Sequence, residues 1–191
     1  MKVIAVNGSA RPAGNTARLI ETALVPLRDA GHEVEYIELA RADIRGCTAC
    51  GKCREKADGR CYGRKDFGNE VIEKLLAADA VILGSPTYFA DVTTEMKALI
   101  DRAGYVNRGC GNPLARKPGA AVVAVRRGGA IHVFDTINHF FLIAEMIVVG
   151  SSYWNLGVGG PVGAVDDDAE GIATMRRLGE NMAWVLERLG D

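Results

Sequence analysis

The stretch Lys2-Val3-Ile4-Ala5-Val6-Asn7-Gly8-Ser9-Ala10-Arg11-Pro12-Ala13-Gly14-Asn15-Thr16 decides the fold. Lys2 to Val6 is a short apolar, partly β-branched run stopped by Asn7-Gly8-Ser9, which predicts a buried strand. From Thr16 to Ala30, Ile20, Ala23, Leu24 and Leu27 share one helical face, and Gly31 is a stop signal. Pro26 inside that span predicts a kink or a weakened last turn. The turn between strand and helix is made of small residues, hydroxyls and one arginine. A helix N-terminus with free N–H groups binds anions, Ser9, Asn15 and Thr16 add donors without bulk, and Arg11 adds a planar charged fork. The turn lacks Gly-x-x-x-x-Gly-Lys-Ser/Thr and Gly-x-Gly-x-x-Gly. A phosphate monoester therefore fits better than a nucleoside triphosphate or a dinucleotide; the plain alternative is an N-capped turn.

Working outward, strands and helices alternate. Strands are predicted at Val34 to Leu39, Ala80 to Gly84, Ala120 to Val125 and Met146 to Val149. Helices are predicted around Val71, Ile72, Leu75 and Leu76, over Thr93 to Arg102, and over Ile131 to Glu145. A last helix begins at Asp166-Asp167-Asp168 and buries Ile172, Met175, Leu178, Met182, Val185, Leu186 and Leu189. Five mostly continuous apolar strands separated by helices predict an α/β fold, a parallel sheet with helices on both faces. Ligands of such sheets sit beyond the carboxyl ends of the strands, so the loops there are the places to look for chemistry.

The chain of 191 residues is expected to form one domain, 1–191, with a cysteine-rich loop insertion at about 41–66. With 23 basic against 24 acidic side chains, the net charge of -1 argues against nucleic acid as the main partner. No apolar run approaches the ~20 residues of a membrane span, and no signal peptide is visible. These features predict a cytoplasmic protein whose five cysteines are not structural disulfides.

Gly84-Ser85-Pro86-Thr87-Tyr88-Phe89-Ala90 follows the third strand. A proline and two aromatics at a strand's carboxyl end can frame a flat ring, although core packing of Tyr88 and Phe89 would look the same. Together with the first loop, a planar ring joined to a phosphate is favoured. Gly8-Ser9-x-Arg11-x-x-Gly14-Asn15-Thr16, Gly84 to Phe89, and Met96-Lys97-Ala98-Leu99-Ile100-Asp101-Arg102, in that order, resemble the NADPH-dependent FMN reductase family of flavodoxin-like proteins. The resemblance implies a flavodoxin-like three-layer sandwich with strand order 2-1-3-4-5, and non-covalently bound FMN. Ser9, Arg11, Asn15 and Thr16 would hold its phosphate, and Pro86, Thr87, Tyr88 and Phe89 would line its isoalloxazine. It also implies NAD(P)H as co-substrate, and a homodimer or homotetramer with flavin near the subunit contact.

Cys47-x-x-Cys50-x-x-Cys53 followed by Cys61 puts four thiols within fifteen residues. Thiolates are soft ligands for iron–sulfur clusters and zinc, and two adjacent Cys-x-x-Cys steps match a ferredoxin start better than a zinc ribbon. The spacing is similar to that of the iron–sulfur flavoprotein branch of the same family, which carries a [4Fe–4S] cluster on such a motif. A cluster, zinc and free redox-active thiols all remain open from the sequence. Cys110 lies outside the motif and reads as an incidental thiol.

Arg126-Arg127-Gly128-Gly129 follows the fourth strand on the expected ligand edge, and Arg127 and Gly128 are taken as flavin contacts. Positive charge near the flavin pyrimidine would stabilise the anionic reduced ring and favour hydride chemistry over one-electron carriage. A second glycine-rich patch, Gly157 to Gly163, receives no role. The reading is an oxidoreductase passing electrons from NAD(P)H through FMN to a second small-molecule or protein acceptor. No side chain is expected to do the chemistry, which belongs to the flavin N5. The alternative is an electron carrier using FMN and a [4Fe–4S] cluster with ferredoxin-like partners.

Overall fold

The computed structural model describes residues 1–190. Strands β1 (Lys2–Asn7), β2 (Glu33–Glu38), β3 (Ala80–Pro86), β4 (Pro118–Val125) and β5 (Ile147–Val148) lie parallel in the order β2-β1-β3-β4-β5, and β6 (Leu156–Val158) pairs with β4. Helices α1 (Asn15–Asp29), α2 (Lys52–Lys56), α3 (Phe67–Ala77), α4 (Thr94–Gly109), α5 (Ala130–Ile143) and α6 (Ala169–Gly190) complete the chain.

Side chains alternate across β1 with the period of two that a pleated strand imposes. Val3 and Ala5 pack with α1 and α6 on one face, while Ile4 and Val6 pack with α3, α4 and α5 on the other. The expected three-layer sandwich and strand order are therefore present. Because β1 is followed by β2 on one side and by β3 on the other, the order reverses between β1 and β3, and their carboxyl ends open a crevice there.

Three expectations are corrected. The fifth strand is not continuous: β5 pairs with the start of β4 (Pro118, Gly119) and β6 with its end (Val123 to Val125). Between them the largely exposed Ser151-Ser152-Tyr153-Trp154 segment leaves the ladder, and Ser151 Oγ bonds Asn155 Oδ1 at 2.6 Å to close the detour. The last helix starts later than its acidic run: 164–167 is a short 3-10 turn, and Asp168 caps α6 by accepting from the Gly171 N–H at 3.0 Å. Leu189 is exposed and does not belong to the buried face of α6. Pro26 lies inside α1, which runs to Asp29, and its ring lies against Gly179 of α6, where no side chain intervenes.

Candidate functional site

Three loops meet at the carboxyl edge. The Gly8 N–H donates to the Gly84 carbonyl at 2.8 Å, tying the exits of β1 and β3 together. Thr87 donates from both its N–H (2.9 Å) and its Oγ1 (3.2 Å) to the Ala124 carbonyl of β4, and the Gly159 N–H after β6 donates to Val125 at 2.8 Å. Gly8 is required where it stands, since a Cβ there would lie 2.9 Å from Met96 Cβ of α4.

The result is a cleft of about 210 Å³. Ser9, Arg11, Gly14, Asn15 and Thr16 line one end and Pro86, Thr87 and Tyr88 the other, with Arg126, Gly159, Gly160 and Val162 along a third side. Seven of the residues expected at a flavin site therefore share one cleft: Ser9, Arg11, Asn15, Thr16, Pro86, Thr87 and Tyr88.

The phosphate end has the donors its chemistry needs. Among the described residues, no acceptor faces the N–H groups of Asn15, Thr16 and Ala17, although Thr16 and Ala17 are buried and no side chain caps α1. Buried backbone donors without partners are rare, and three at the positive end of a helix form an anion cradle. Ser9 shapes the turn: its Oγ accepts from the Arg11 N–H at 3.1 Å, and its own N–H donates to Asn7 Oδ1 at 3.0 Å. The donor set fits a phosphate monoester.

Asn15 stands elsewhere than a simple phosphate ligand would. Its Nδ2 donates to the carbonyls of Gly159 (2.8 Å) and Pro161 (2.9 Å), and its Oδ1 accepts from the Gly163 N–H at 2.8 Å. The side chain is spent on holding the 159–163 loop over the cleft, which leaves its backbone N–H for the anion. That loop was the glycine patch without a role in the sequence.

Phe89, Arg127 and Gly128 do not line the cleft. Tyr88 and Asp91 pair as a two-residue hairpin with Phe89 (φ 48°) and Ala90 (φ 61°) at its tip, so Phe89 projects fully into solvent. Arg126 takes the place expected of Arg127, and its stem packs against Gly160 at 3.3 Å from where a Cβ would be. Glycine there lets the arginine lie along the cleft.

A second cavity, of about 190 Å³, lies in the 41–66 segment. Cys47, Cys50, Cys53 and Cys61 all line it, with Arg54 and with Arg102, Tyr105 and Val106 of α4. Left-handed backbone at Ala49, Gly51, Ala57 and Gly59 coils the chain around it. The cavity's lining by four thiols, rather than its size, suits it to a compact inorganic group.

The Ala49 N–H donates to Cys47 Sγ at 3.4 Å, and the Cys53 thiol donates weakly to the Tyr105 carbonyl at 3.8 Å. The Lys52 N–H, aided by Thr48, pulls the Cys50 thiol below its ordinary value, while burial pushes Cys53 up. Among the described residues, no three His, Cys, Asp or Glu side chains converge on a single-ion site. The four thiols line one shared space and are the donor type that an iron–sulfur cluster uses. Arg102 lines the same cavity, and its Nε is buried without a partner. Soft ligands, backbone N–H···S contacts and an orphaned cationic donor together fit an iron–sulfur cluster.

Comparison with known proteins agrees with this geometry. The family model of NADPH-dependent FMN reductases matches residues 1–160. An iron–sulfur flavoprotein of Methanocaldococcus jannaschii is 39% identical, over 98% of each chain. Among solved structures, RosB with a bound 8-demethyl-8-formylriboflavin-5'-phosphate has a TM-score of 0.76 at 20% identity, covering 100% of this chain and 80% of that one. A flavodoxin from the domain Archaea has a TM-score of 0.64 at 19% identity, covering 98% and 99%. The last two likenesses establish the fold.

Proposed function

The chain belongs to the NADPH-dependent FMN reductase family, and from that premise we propose an FMN-binding oxidoreductase that takes electrons from NAD(P)H and delivers them to a second acceptor. The observation that carries the site assignment is the shared cleft: the β1 loop supplies an anion cradle and the β3 loop a flat wall. When bound, FMN supplies hydride acceptance at N5 and onward electron transfer.

The protein binds, orients and tunes. The N–H groups of Asn15, Thr16 and Ala17, with Arg11, hold the phosphate. Pro86, Thr87 and Tyr88 seat the ring, and Asn15 holds the 159–163 loop across the cleft. Arg126 places positive charge on the rim, which favours a reduced anionic ring. Arg127, Gly128 and Phe89 lie outside the cleft lining.

The four cysteines support a second reading, that an acceptor lies in the same chain. Cys47, Cys50, Cys53 and Cys61 would ligate a [4Fe–4S] cluster, which supplies one-electron transfer. The name carried by the Methanocaldococcus relative supports this reading. Ferredoxin-like partners then become candidate donors or acceptors.

We read residues 1–191 as one domain with the 41–66 segment as its insertion, acting in the cytoplasm as a homodimer or homotetramer. Exposed Tyr105, Leu142, Ile143, Tyr153, Trp154 and Trp184 support assembly. No helix among the described residues is long and apolar enough to cross a membrane.

The test is anaerobic purification, analysis of FMN, iron and sulfide, and a spectrum during NADPH addition. Bound FMN that bleaches with NADPH is expected. Protein that is colourless and does not retain added FMN overturns the flavin site. Iron at roughly four per chain supports the cluster, and its absence after reconstitution removes it.

A further inference from the structure

The walls of the cysteine cavity are held by one side chain, Arg102 of α4. It is among the largest fully buried side chains in the protein. Its Nη1 donates to both carboxylate oxygens of Asp66, at 2.7 and 2.9 Å, and to the Arg45 carbonyl at 3.2 Å. Its Nη2 donates to Asn69 Oδ1.

The partners of Arg102 hold both ends of the cysteine segment. Asp66 Oδ2 accepts from the Arg45 N–H at 3.1 Å, two residues before Cys47. Asn69 Nδ2 donates to the carbonyls of Cys61 at 3.1 Å and Arg64 at 3.0 Å. One guanidinium therefore sets where the first and the fourth thiol stand.

The Nε–H is left over. It is buried and has no partner, although both Nη atoms are engaged. An unpaired buried donor on a charged group carries a desolvation cost that native structures rarely leave uncompensated. Arg102 also lines the cavity shared by the four cysteines. Sulfur accepts such a donor, and more strongly when it is anionic.

Resting on the cluster reading above, we propose that Arg102 Nε–H donates to a sulfur of the cluster in this cavity and thereby sets its potential as well as its retention. A donor and a positive charge at cluster sulfur stabilise the more negative, reduced state, so Arg102 raises the potential. Arg102→Lys keeps a charge but loses the Nε–H and the fork that grips Asp66.

The experiment uses the full chain with FMN, reconstituted anaerobically with ferrous iron and sulfide. Redox titration followed by EPR is expected to show a more negative midpoint potential in Arg102→Lys than in the unaltered protein. Iron affinity against a competing chelator is expected to fall about tenfold or more. FMN content is expected to stay the same. An unchanged potential overturns the proposal while the cluster reading stands, whatever the iron affinity, because loss of the Asp66 fork alone would lower that affinity. Failure of the unaltered protein to bind iron and sulfide overturns the cluster reading itself.

Should Arg102→Lys not fold, Arg54→Lys protein labelled with ¹⁵N only in its arginine guanidino groups answers the question by pulsed EPR of the reduced cluster. Arg54, the other guanidinium at the cavity, is then removed. A ¹⁵N coupling of hydrogen-bond strength supports the proposal, and its absence overturns it.

Discussion

The Thr93 hydroxyl donates to the Gly8 carbonyl across 2.7 Å, joining the residue before α4 to the turn after β1. The same oxygen accepts from the Met96 N–H at 3.3 Å and so caps α4, while the Thr93 N–H donates to Ser85 Oγ at 3.1 Å. One fully buried hydroxyl thus fixes the distance between the phosphate turn and the ring-facing turn. Thr93→Val keeps the volume but removes the cap and strands the Gly8 carbonyl. The expected loss is about 2 kcal/mol of stability, read by urea unfolding, together with weaker FMN retention.

Asn15→Asp tests the loop strap. A carboxylate would face the Gly159 and Pro161 carbonyls, which now accept from the amide, and would add negative charge beside the phosphate. FMN affinity is expected to fall at least tenfold, an amount that corresponds to about 1.4 kcal/mol, measured by fluorescence titration. Affinity equal to that of the unaltered protein would detach the 159–163 loop from the flavin site.

The hairpin tip stores strain. Phe89 and Ala90 both occupy left-handed backbone, which Asn-Gly adopts at lower cost in such a turn. Phe89→Asn combined with Ala90→Gly is expected to raise stability by about 1 kcal/mol, seen as a higher Tm. Reduced oligomerisation or slower turnover in the same variant would show what the exposed ring is for.

The local surroundings of Cys50 and Cys53 set an expected order of thiol reactivity in the iron-free protein. The Cys50 thiol titrates below the ordinary cysteine value and Cys53 above it. As pH rises, Cys50 forms thiolate before Cys53, so iodoacetamide is expected to label Cys50 at lower pH than Cys53. Peptide mass mapping across a pH series checks this, and equal labelling of the two would contradict it.

Gly179 of α6 packs directly on the Ala23 carbonyl and the Pro26 ring of α1. Gly179→Ala places a methyl where backbone already stands, so the helices must separate. A destabilisation of about 1–3 kcal/mol is expected by thermal or urea unfolding, without effect on FMN binding.

Much of the site could be read in the residues because its signals are local. Ser9, Arg11 and Thr16 sit in one strand-to-helix turn whose composition alone suggests an anion. Arg126 and Arg127 are adjacent, and only the point at which β4 ends decides which one faces the cleft. Tyr88 and Phe89 are likewise adjacent aromatics, separated by a hairpin tip that no residue pattern announced, since Phe-Ala is not a turn sequence.

The apolar periodicity of the chain determined by itself that parallel strands alternate with helices, because burial on two faces demands continuous apolar strands and striped helices. The cysteine spacing likewise determined that four thiols lie close together, because seven residues or fewer separate neighbours from Cys47 to Cys61. Only the tertiary structure decided that Asn15 grips a loop 144 residues away and that Arg102 clamps both ends of the cysteine segment. Such bonds depend on chain crossings rather than on neighbours, and a sequence records the donors without recording which distant acceptors the sheet brings to them.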